Sequence, residues 1–332
     1  MEPLDDAKFS GTKEVAEHLT IEVSNLQPWI DEFVPGAGKI NSIEQFKGGQ
    51  SNPTYKIVTE SKNLVLRRKP PGKLLPSAHA VDREYKVITA LYETDVPVPK
   101  TYGLCEDDEI AGTAFFVMDF LDGDLFWNPM IPSLSNQDRT EIYQNKNKTL
   151  ALLHGVDYKK IGLEDYGKPG NYVARQVARW SKQYRASETD DIEAMNNLID
   201  WLPKNIPDDD ETSIVHGDYR LDNMILKNNQ VMGILDWELS TLGHPIADFS
   251  YHCLSWRTQE AFWDQAKLKE LGVPSEKEYM DMYCENTGKD LSKNWEFYMA
   301  FNMFKIAGIL QGILGRVRDC LLYTSDAADE LR

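Results

Sequence analysis

The sequence predicts an α+β protein of two lobes, a small β-rich lobe followed by a larger, mostly helical one. Three observations carry this. Short apolar segments of strand type crowd the first 119 residues. After Asp119-Phe120-Leu121-Asp122-Gly123 the apolar spacing becomes that of helices. Further on, two short apolar strands, Ser213 to Val215 and Val231 to Leu235, frame a loop rich in polar side chains. The expected division is therefore residues 1–119 and 120–319, with ligands held in the cleft between the lobes.

In chain order, Val15, Leu19, Ile21, Val23, Leu26, Trp29 and Ile30 predict an amphipathic leading helix over 13–33. The period then changes. Ile43 to Lys47, Pro53 to Thr59 and Asn63 to Arg68 read as strands, separated by Gly48-Gly49 and by the polar Glu60-Ser61-Lys62 turn. A helix is expected from Ala80 to Glu93, closed by Val96-Pro97-Val98-Pro99, because proline lacks the amide hydrogen that a helix needs. Strands are expected again near Tyr102 and at Ala114 to Met118. Past the hinge, helices are expected at 138–154, 170–186 and 191–202, and over most of 256–315.

Composition narrows the function classes. The 332 residues carry 36 Lys and Arg against 53 Asp and Glu, a net charge of −17. That balance argues against a general nucleic-acid binder, which needs basic stripes to neutralise phosphates. The cysteines Cys105, Cys253, Cys284 and Cys320 are widely spaced, so neither a disulfide framework nor a zinc site is expected, and a cytoplasmic setting fits. The opening MEPLDDAKFS has no apolar stretch, so no targeting segment is expected there. Phe297 to Gly315 is apolar except for Asn302, Lys305 and Gln311. Lys305 in mid-run favours a buried helix over a membrane span, which takes ~20 residues with few or no charges.

The chemistry concentrates in Ile214-Val215-His216-Gly217-Asp218-Tyr219-Arg220-Leu221-Asp222-Asn223 and in Ile234-Leu235-Asp236-Trp237-Glu238. A loop after a buried strand presents Asp218 and Asn223, and a second strand delivers Asp236. Carboxylate and amide oxygens from neighbouring loops are the hard ligands that Mg²⁺ takes, with phosphate and water completing its shell. A further carboxylate beside them can accept a proton from an attacking hydroxyl.

This arrangement resembles the catalytic loop and metal-binding aspartate of the protein-kinase-like fold, in its aminoglycoside phosphotransferase and choline kinase branch. The resemblance implies ATP and Mg²⁺ as cofactors, Asp218 as catalytic base, and Asn223 and Asp236 as metal ligands. It gives His216 and Asp248 structural roles, holding and bracing the loop. In the first lobe, Gly48, Gly49, Ser51 and Asn52 would approach the nucleotide phosphates. Arg67 stands where the family has a phosphate-pairing lysine, with Glu84 as its partner, and a neighbouring Lys is the alternative. Arginine is not an equivalent replacement for lysine. Met118 and Phe120 would lie at the hinge that meets adenine. Only 11 residues separate Asp236 from Asp248, and Gly217 replaces the loop arginine of protein kinases. Both features imply a small-molecule kinase.

For the acceptor, residues 47–73 hold seven basic residues against one acid, whereas 186–211 hold nine acids against one base. The acidic stretch is either a solvated surface or a wall for a cationic substrate. The segment Leu66 to Tyr85 and the His216 to Asn223 string are similar to the phosphotransferase domain fused to acyl-CoA dehydrogenases and to its stand-alone bacterial relatives. That similarity implies phosphorylation of a 4-hydroxyacyl-CoA. Separately from it, the basic Arg67 to Lys73 segment, including Arg68 and Lys73, is expected to meet the polyanionic CoA. An aminoglycoside or choline-like kinase, an inactive nucleotide-binding module, and a metal phosphohydrolase using His154, His216, Asp218 and Asp236 remain alternatives. No nucleic-acid or membrane partner is expected. Finally, Cys320 to Glu330 reads like an in-frame adapter translation, so residues 320–332 are expected to be a non-native tail.

Overall fold

The computed structural model describes residues 10–48, 52–72 and 79–318. Gly49, Ser51, Lys73 and the 320–332 tail, all singled out above, lie outside the described residues. The first lobe is a six-stranded sheet in the order β1-β2-β3-β4-β6-β5, antiparallel throughout. Its strands are β1 (Thr12–Lys13), β2 (Ile40–Phe46), β3 (Thr54–Thr59), β4 (Asn63–Arg68), β5 (Thr101–Cys105) and β6 (Phe115–Asp119), with helices α1 (Val23–Phe33), α2 (Val81–Leu91) and α3 (Asp108–Ala111).

Side-chain alternation along β4 and β6 decides what each face meets. Leu64, Leu66, Phe115 and Val117 enter a core with Leu26, Trp29 and Ile30 of α1. Val65, Phe116 and Met118 enter another, with Val81, Val87, Ile88 and Leu91 of α2 and the apolar residues of the second lobe. The same register sends Arg67 to the α2 face and Arg68 to the α1 face, which separates the fates of two adjacent arginines.

The leading helix forms only from Val23, not from residue 13. Thr12 and Lys13 instead pair with Phe46 and Gln45 as an edge strand, and Glu17–Leu19 make one 3₁₀ turn. The Leu19 carbonyl, which a continuing helix would need, accepts from the Tyr55 hydroxyl at 3.0 Å and from Arg68 Nη2 at 2.8 Å. The β-branched Thr20 and Ile21 further disfavour helix there.

The second lobe contains α4 (Asn136–Gly155), α5 (Tyr172–Ala186), α6 (Glu193–Trp201), β7 (Ser213–Val215), β8 (Met224–Lys227), β9 (Gln230–Ile234), β10 (Thr241–Gly243), α7 (Pro245–Cys253), α8 (Ser255–Thr258), α9 (Gln265–Leu271), α10 (Glu276–Thr287) and α11 (Trp295–Arg318). Among the described helices, α11 alone is long and apolar enough to cross a membrane by length and composition. Half of its apolar stretch is buried, with Phe297, Phe301, Phe304 and Ile313 in the core, while Met303, Leu310 and Leu314 are exposed. Two paired ribbons, β7 with β10 and β8 with β9, frame the loops that carry the site. The linker between the lobes is fastened to this frame. Asp124 exchanges backbone hydrogen bonds of 2.7 and 2.8 Å with Leu226, and a Cβ on Gly123 would stand 2.4 Å from the Leu226 carbonyl oxygen.

Candidate active site

The loop from His216 to Asn223 leaves β7 and is held from beneath by one buried carboxylate. Asp248, near the start of α7, accepts the backbone amides of His216 and Gly217, each at 2.9 Å. Its Oδ2 also lies 3.2 Å from His154 Nε2, whose other ring nitrogen is 2.6 Å from the Tyr283 hydroxyl. Burial alone raises the Asp248 carboxyl, but the His154 hydrogen bond and the neighbouring His154 and His216 outweigh it. The group is held below the usual carboxylate range.

The His216 ring is fixed at both nitrogens. Nε2 meets the Leu235 carbonyl at 2.9 Å, so it carries the proton, and Nδ1 accepts the Asp218 amide at 3.2 Å. One imidazole thereby ties the Asp218 loop to the strand end that delivers Asp236. Gly217 has φ +84°, and a Cβ there would sit 2.8 Å from the Leu239 carbonyl oxygen. A residue with a side chain there would have to displace the backbone. Gly217→Ala is expected to cost about 1–2 kcal/mol of stability and to lower kcat. Thermal melting and steady-state kinetics check this, and an unchanged Tm with unchanged kcat would show that the loop tolerates a side chain.

Asp218 and Asn223 are brought together directly. The Asn223 Nδ2 donates to Asp218 Oδ2 at 3.0 Å and to the Asp218 carbonyl at 2.9 Å, which turns its own Oδ1 outward as an acceptor. The other oxygen of Asp218, Oδ1, pairs with Arg220 Nε at 3.4 Å. Met224 pairs with Ile234 across the β8–β9 ribbon, and the Leu235 amide donates to the Asn223 carbonyl at 2.8 Å. The Asn223 backbone therefore lies against Leu235, the residue before Asp236. Asp236 itself has φ +61°, an uncommon conformation for a residue with a side chain.

From the other lobe, Arg67 reaches across. Its Nε lies 2.9 Å from Glu84 Oε2, and its Nη2 lies 2.6 Å from Asp236 Oδ1. Asn52 Nδ2 donates to Glu84 Oε1 at 2.9 Å, and His79 Nδ1 is 3.1 Å from Asn52 Oδ1. Arg67, Glu84 and Asn52 are all buried. Burial works against the Arg67 charge, but Glu84 and Asp236 overcome it and hold the guanidinium protonated. For Glu84, burial pushes the carboxyl up, to about 7, against the pull of Arg67. Gly48 lies two residues beyond the end of β2. Met118 is ladder-bonded to Val65 and Thr101, and the Phe120 amide donates to Asn63 at 3.4 Å, so both sit at the strand end that leads into the linker.

Arg68 departs from its expected place beside CoA. Its guanidinium donates to the carbonyls of Leu19 and Ala111 and lies over the Tyr55 ring, pinning the outer face of the first lobe. Alternation along β4 is the reason: residues 64, 66 and 68 share the face that α1 covers. The metal phosphohydrolase alternative also loses its donors, because His154 and His216 have both ring nitrogens engaged. Among the described residues, no group of three or more His, Cys, Asp or Glu side chains is placed to hold a metal ion. Asn223 and Asp236 do offer the oxygen donors that suit Mg²⁺, provided that phosphate and water complete the shell. Arg220, His79 and Thr54, whose Oγ1 lies 3.4 Å from Arg67 Nη1, were not singled out from sequence for the site. Only the register of Thr54 opposite Arg67 could have signalled one of them.

Residues 42–283 match the phosphotransferase enzyme family. Over 314 residues the chain is 46% identical to acyl-CoA dehydrogenase family member 10 of Mus musculus, covering 92% of this chain and 29% of that protein. It spans between 29% and 41% of the length of the acyl-CoA dehydrogenase relatives it matches. A solved structure from Ralstonia eutropha JMP134, assigned provisionally as an aminoglycoside phosphotransferase, is 47% identical with a TM-score of 0.85 over 94% of both chains. The ternary complex of streptomycin, ATP and APH(2″)-IIa, at 14% identity, has a TM-score of 0.55 over 92% of each chain, so it shares the fold.

Proposed function

The chain belongs to the phosphotransferase enzyme family, and on that premise we propose that it is an ATP-dependent kinase acting on the hydroxyl of a 4-hydroxyacyl-CoA. The observation that carries the kinase reading is the convergence of Asp218, Asn223 and Asp236 on one side of the cleft with Arg67 facing them from the other. The acceptor class is supported by the kinship with acyl-CoA dehydrogenase family members. Free thiols at Cys105, Cys253 and Cys284 suit a reducing cytoplasm.

In this reading Asp218 Oδ1 takes the proton of the acceptor hydroxyl, while Asn223, donating to Oδ2, fixes the carboxylate plane. Asn223 Oδ1 and Asp236 would hold Mg²⁺, which when bound supplies neutralisation of the β- and γ-phosphates. Arg67, positioned by Glu84, turns its outer donors from Asp236 to phosphate oxygens when nucleotide enters. The segment after β2, including Gly48, approaches the phosphates, and the strand end at Met118 and Phe120 meets the adenine. Asp248 and His216 act through the loop they hold. Most of the work is positioning and charge stabilisation.

The test is ATP consumption measured against 4-hydroxyacyl-CoAs, aminoglycosides and choline-like amines, with Mg²⁺ present and withheld. Turnover is expected with the hydroxyacyl thioesters and to depend on Mg²⁺. Turnover confined to the amines would reassign the acceptor, and none with any acceptor would leave a nucleotide-binding module.

A further inference from the structure

The first turn of α2 carries two adjacent charged residues that serve different lobes. Glu84 turns to Arg67 within the first lobe. Arg83 reaches the second lobe, where its Nη2 donates to the Tyr166 carbonyl at 2.8 Å and has the Ser240 carbonyl at 3.4 Å. The same guanidinium lies over the Tyr166 ring, 4.4 Å from its centre. Tyr166 and Ser240 are both buried, so Arg83 inserts into the body of the second lobe rather than resting on its surface.

The two carbonyls belong to segments that are packed together. A Cβ on Gly167 would stand 2.5 Å from Thr241 Oγ1 and 2.7 Å from the Leu242 nitrogen, so the chain after Tyr166 lies directly against the chain after Ser240. Ser240 in turn closes the short segment that Asp236 opens. Its amide donates to the Trp237 carbonyl at 3.0 Å, and the Trp237 indole donates to the Ile234 carbonyl at 3.0 Å. Residues 236–240 thus form a small, internally bonded unit.

Helix α2 grips that unit at both ends. At one end Glu84 holds Arg67, which bonds Asp236 Oδ1 at 2.6 Å, and at the other Arg83 meets the Ser240 carbonyl. A guanidinium suits the second task because its planar fork serves more than one acceptor while its face stacks on a ring. Lys86 on the same helix also reaches the second lobe, pairing with Asp165 at 2.6 Å, but both side chains are exposed and such a pair adds little. When Arg67 exchanges Asp236 for phosphate oxygens, the Arg83 contacts are untouched by the exchange and still fix α2 to the second lobe.

We infer that Arg83 is a positioning residue for nucleotide binding. It holds α2 against residues 236–240, so that Glu84 presents Arg67 to the phosphates beside Asp236. This rests on the kinase reading and adds the contact that sets its nucleotide side. Arg83 acts through Glu84 and Arg67, and no covalent chemistry passes through it.

The experiment is calorimetric titration of ATP in the presence of Mg²⁺, with thermal melting to check folding, in wild type, Arg83→Met, Arg83→Lys, Arg67→Met and the Arg83→Met, Arg67→Met double variant. Arg83→Met is expected to raise the Kd for ATP about ten-fold, the worth of a charged hydrogen bond. Arg83→Lys, which keeps the charge without the fork, is expected to raise it about three-fold. In the Arg67→Met background the Arg83→Met change is expected to shift the Kd less than two-fold, because the side chain that Arg83 positions is gone. Shifts of equal size in the two backgrounds mark a merely structural effect and overturn the inference. If Arg83→Met does not melt cooperatively, Arg83→Lys takes its place in both backgrounds, and equal shifts again overturn it. A Kd for Arg83→Met within two-fold of wild type overturns the inference and leaves the kinase reading intact, whereas a wild-type protein that binds no ATP removes that reading and the inference with it.

Discussion

Asp218→Asn is expected to lower kcat by about 10³-fold, within the range of positioned general bases, while the affinity for ATP stays within about three-fold. The substitution keeps the shape of the side chain, and its amide oxygen can still accept from Asn223 Nδ2, so the loop geometry persists. What is lost is the oxygen that takes the hydroxyl proton. Single-turnover kinetics with a separate nucleotide-binding titration separates these quantities. Retained turnover would show that Asp218 is not the base, and a parallel loss of ATP affinity would place it among the nucleotide ligands instead.

Asp248→Ala is expected to cause the largest loss of stability, about 3–5 kcal/mol, because it breaks a buried, charged network by removing its centre. Two backbone amides and His154 lose their acceptor at once, in a place that water does not reach. The His216 and Gly217 amides define the start of the catalytic loop, so activity falls with stability. The sign of the pH effect follows from the depressed carboxyl of Asp248. A group whose folded-state pKa lies below its unfolded value contributes fully above about pH 4, the unfolded value, and loses that contribution as pH falls through the folded one. Denaturant melts at neutral pH and at progressively lower pH check both points. A variant melting within about 1 kcal/mol of wild type, with the same acid limb, would contradict the bracing role.

The residues of the proposed site were legible as a group because they are local in sequence. His216, Gly217, Asp218 and Asn223 lie on one loop between short apolar strands, and Asp236 follows another. The pairing of Arg67 with Glu84 was also expected, since each sits on an element whose period was clear. Where the reading failed, register or distance was the cause. Arg67 and Arg68 are adjacent and chemically alike, yet alternation sends one to the cleft and the other to the α1 face. The run Leu64-Val65-Leu66 is apolar on both faces, so no alternation in the sequence marks which arginine faces the cleft. The segment before Val23 has helical spacing, but its Leu19 carbonyl is claimed by Tyr55 and Arg68 from elsewhere in the chain. Strands β8 and β10 have only four and three residues, too few for a period to show. The reach of Arg83 to Tyr166 and Ser240 depends on how α2 packs on the second lobe, which no local pattern records.

The central claim is that this chain moves a phosphoryl group from ATP to an acceptor hydroxyl with Asp218 as base. Its most direct test uses γ-labelled ATP, Mg²⁺ and 4-hydroxypentanoyl-CoA, with the products resolved by mass spectrometry and phosphorus NMR. The account predicts label in a phosphate ester at the C4 oxygen, formed by the wild-type enzyme and absent with Asp218→Asn. Label recovered only as inorganic phosphate, or an ester formed equally well by both proteins, would contradict it.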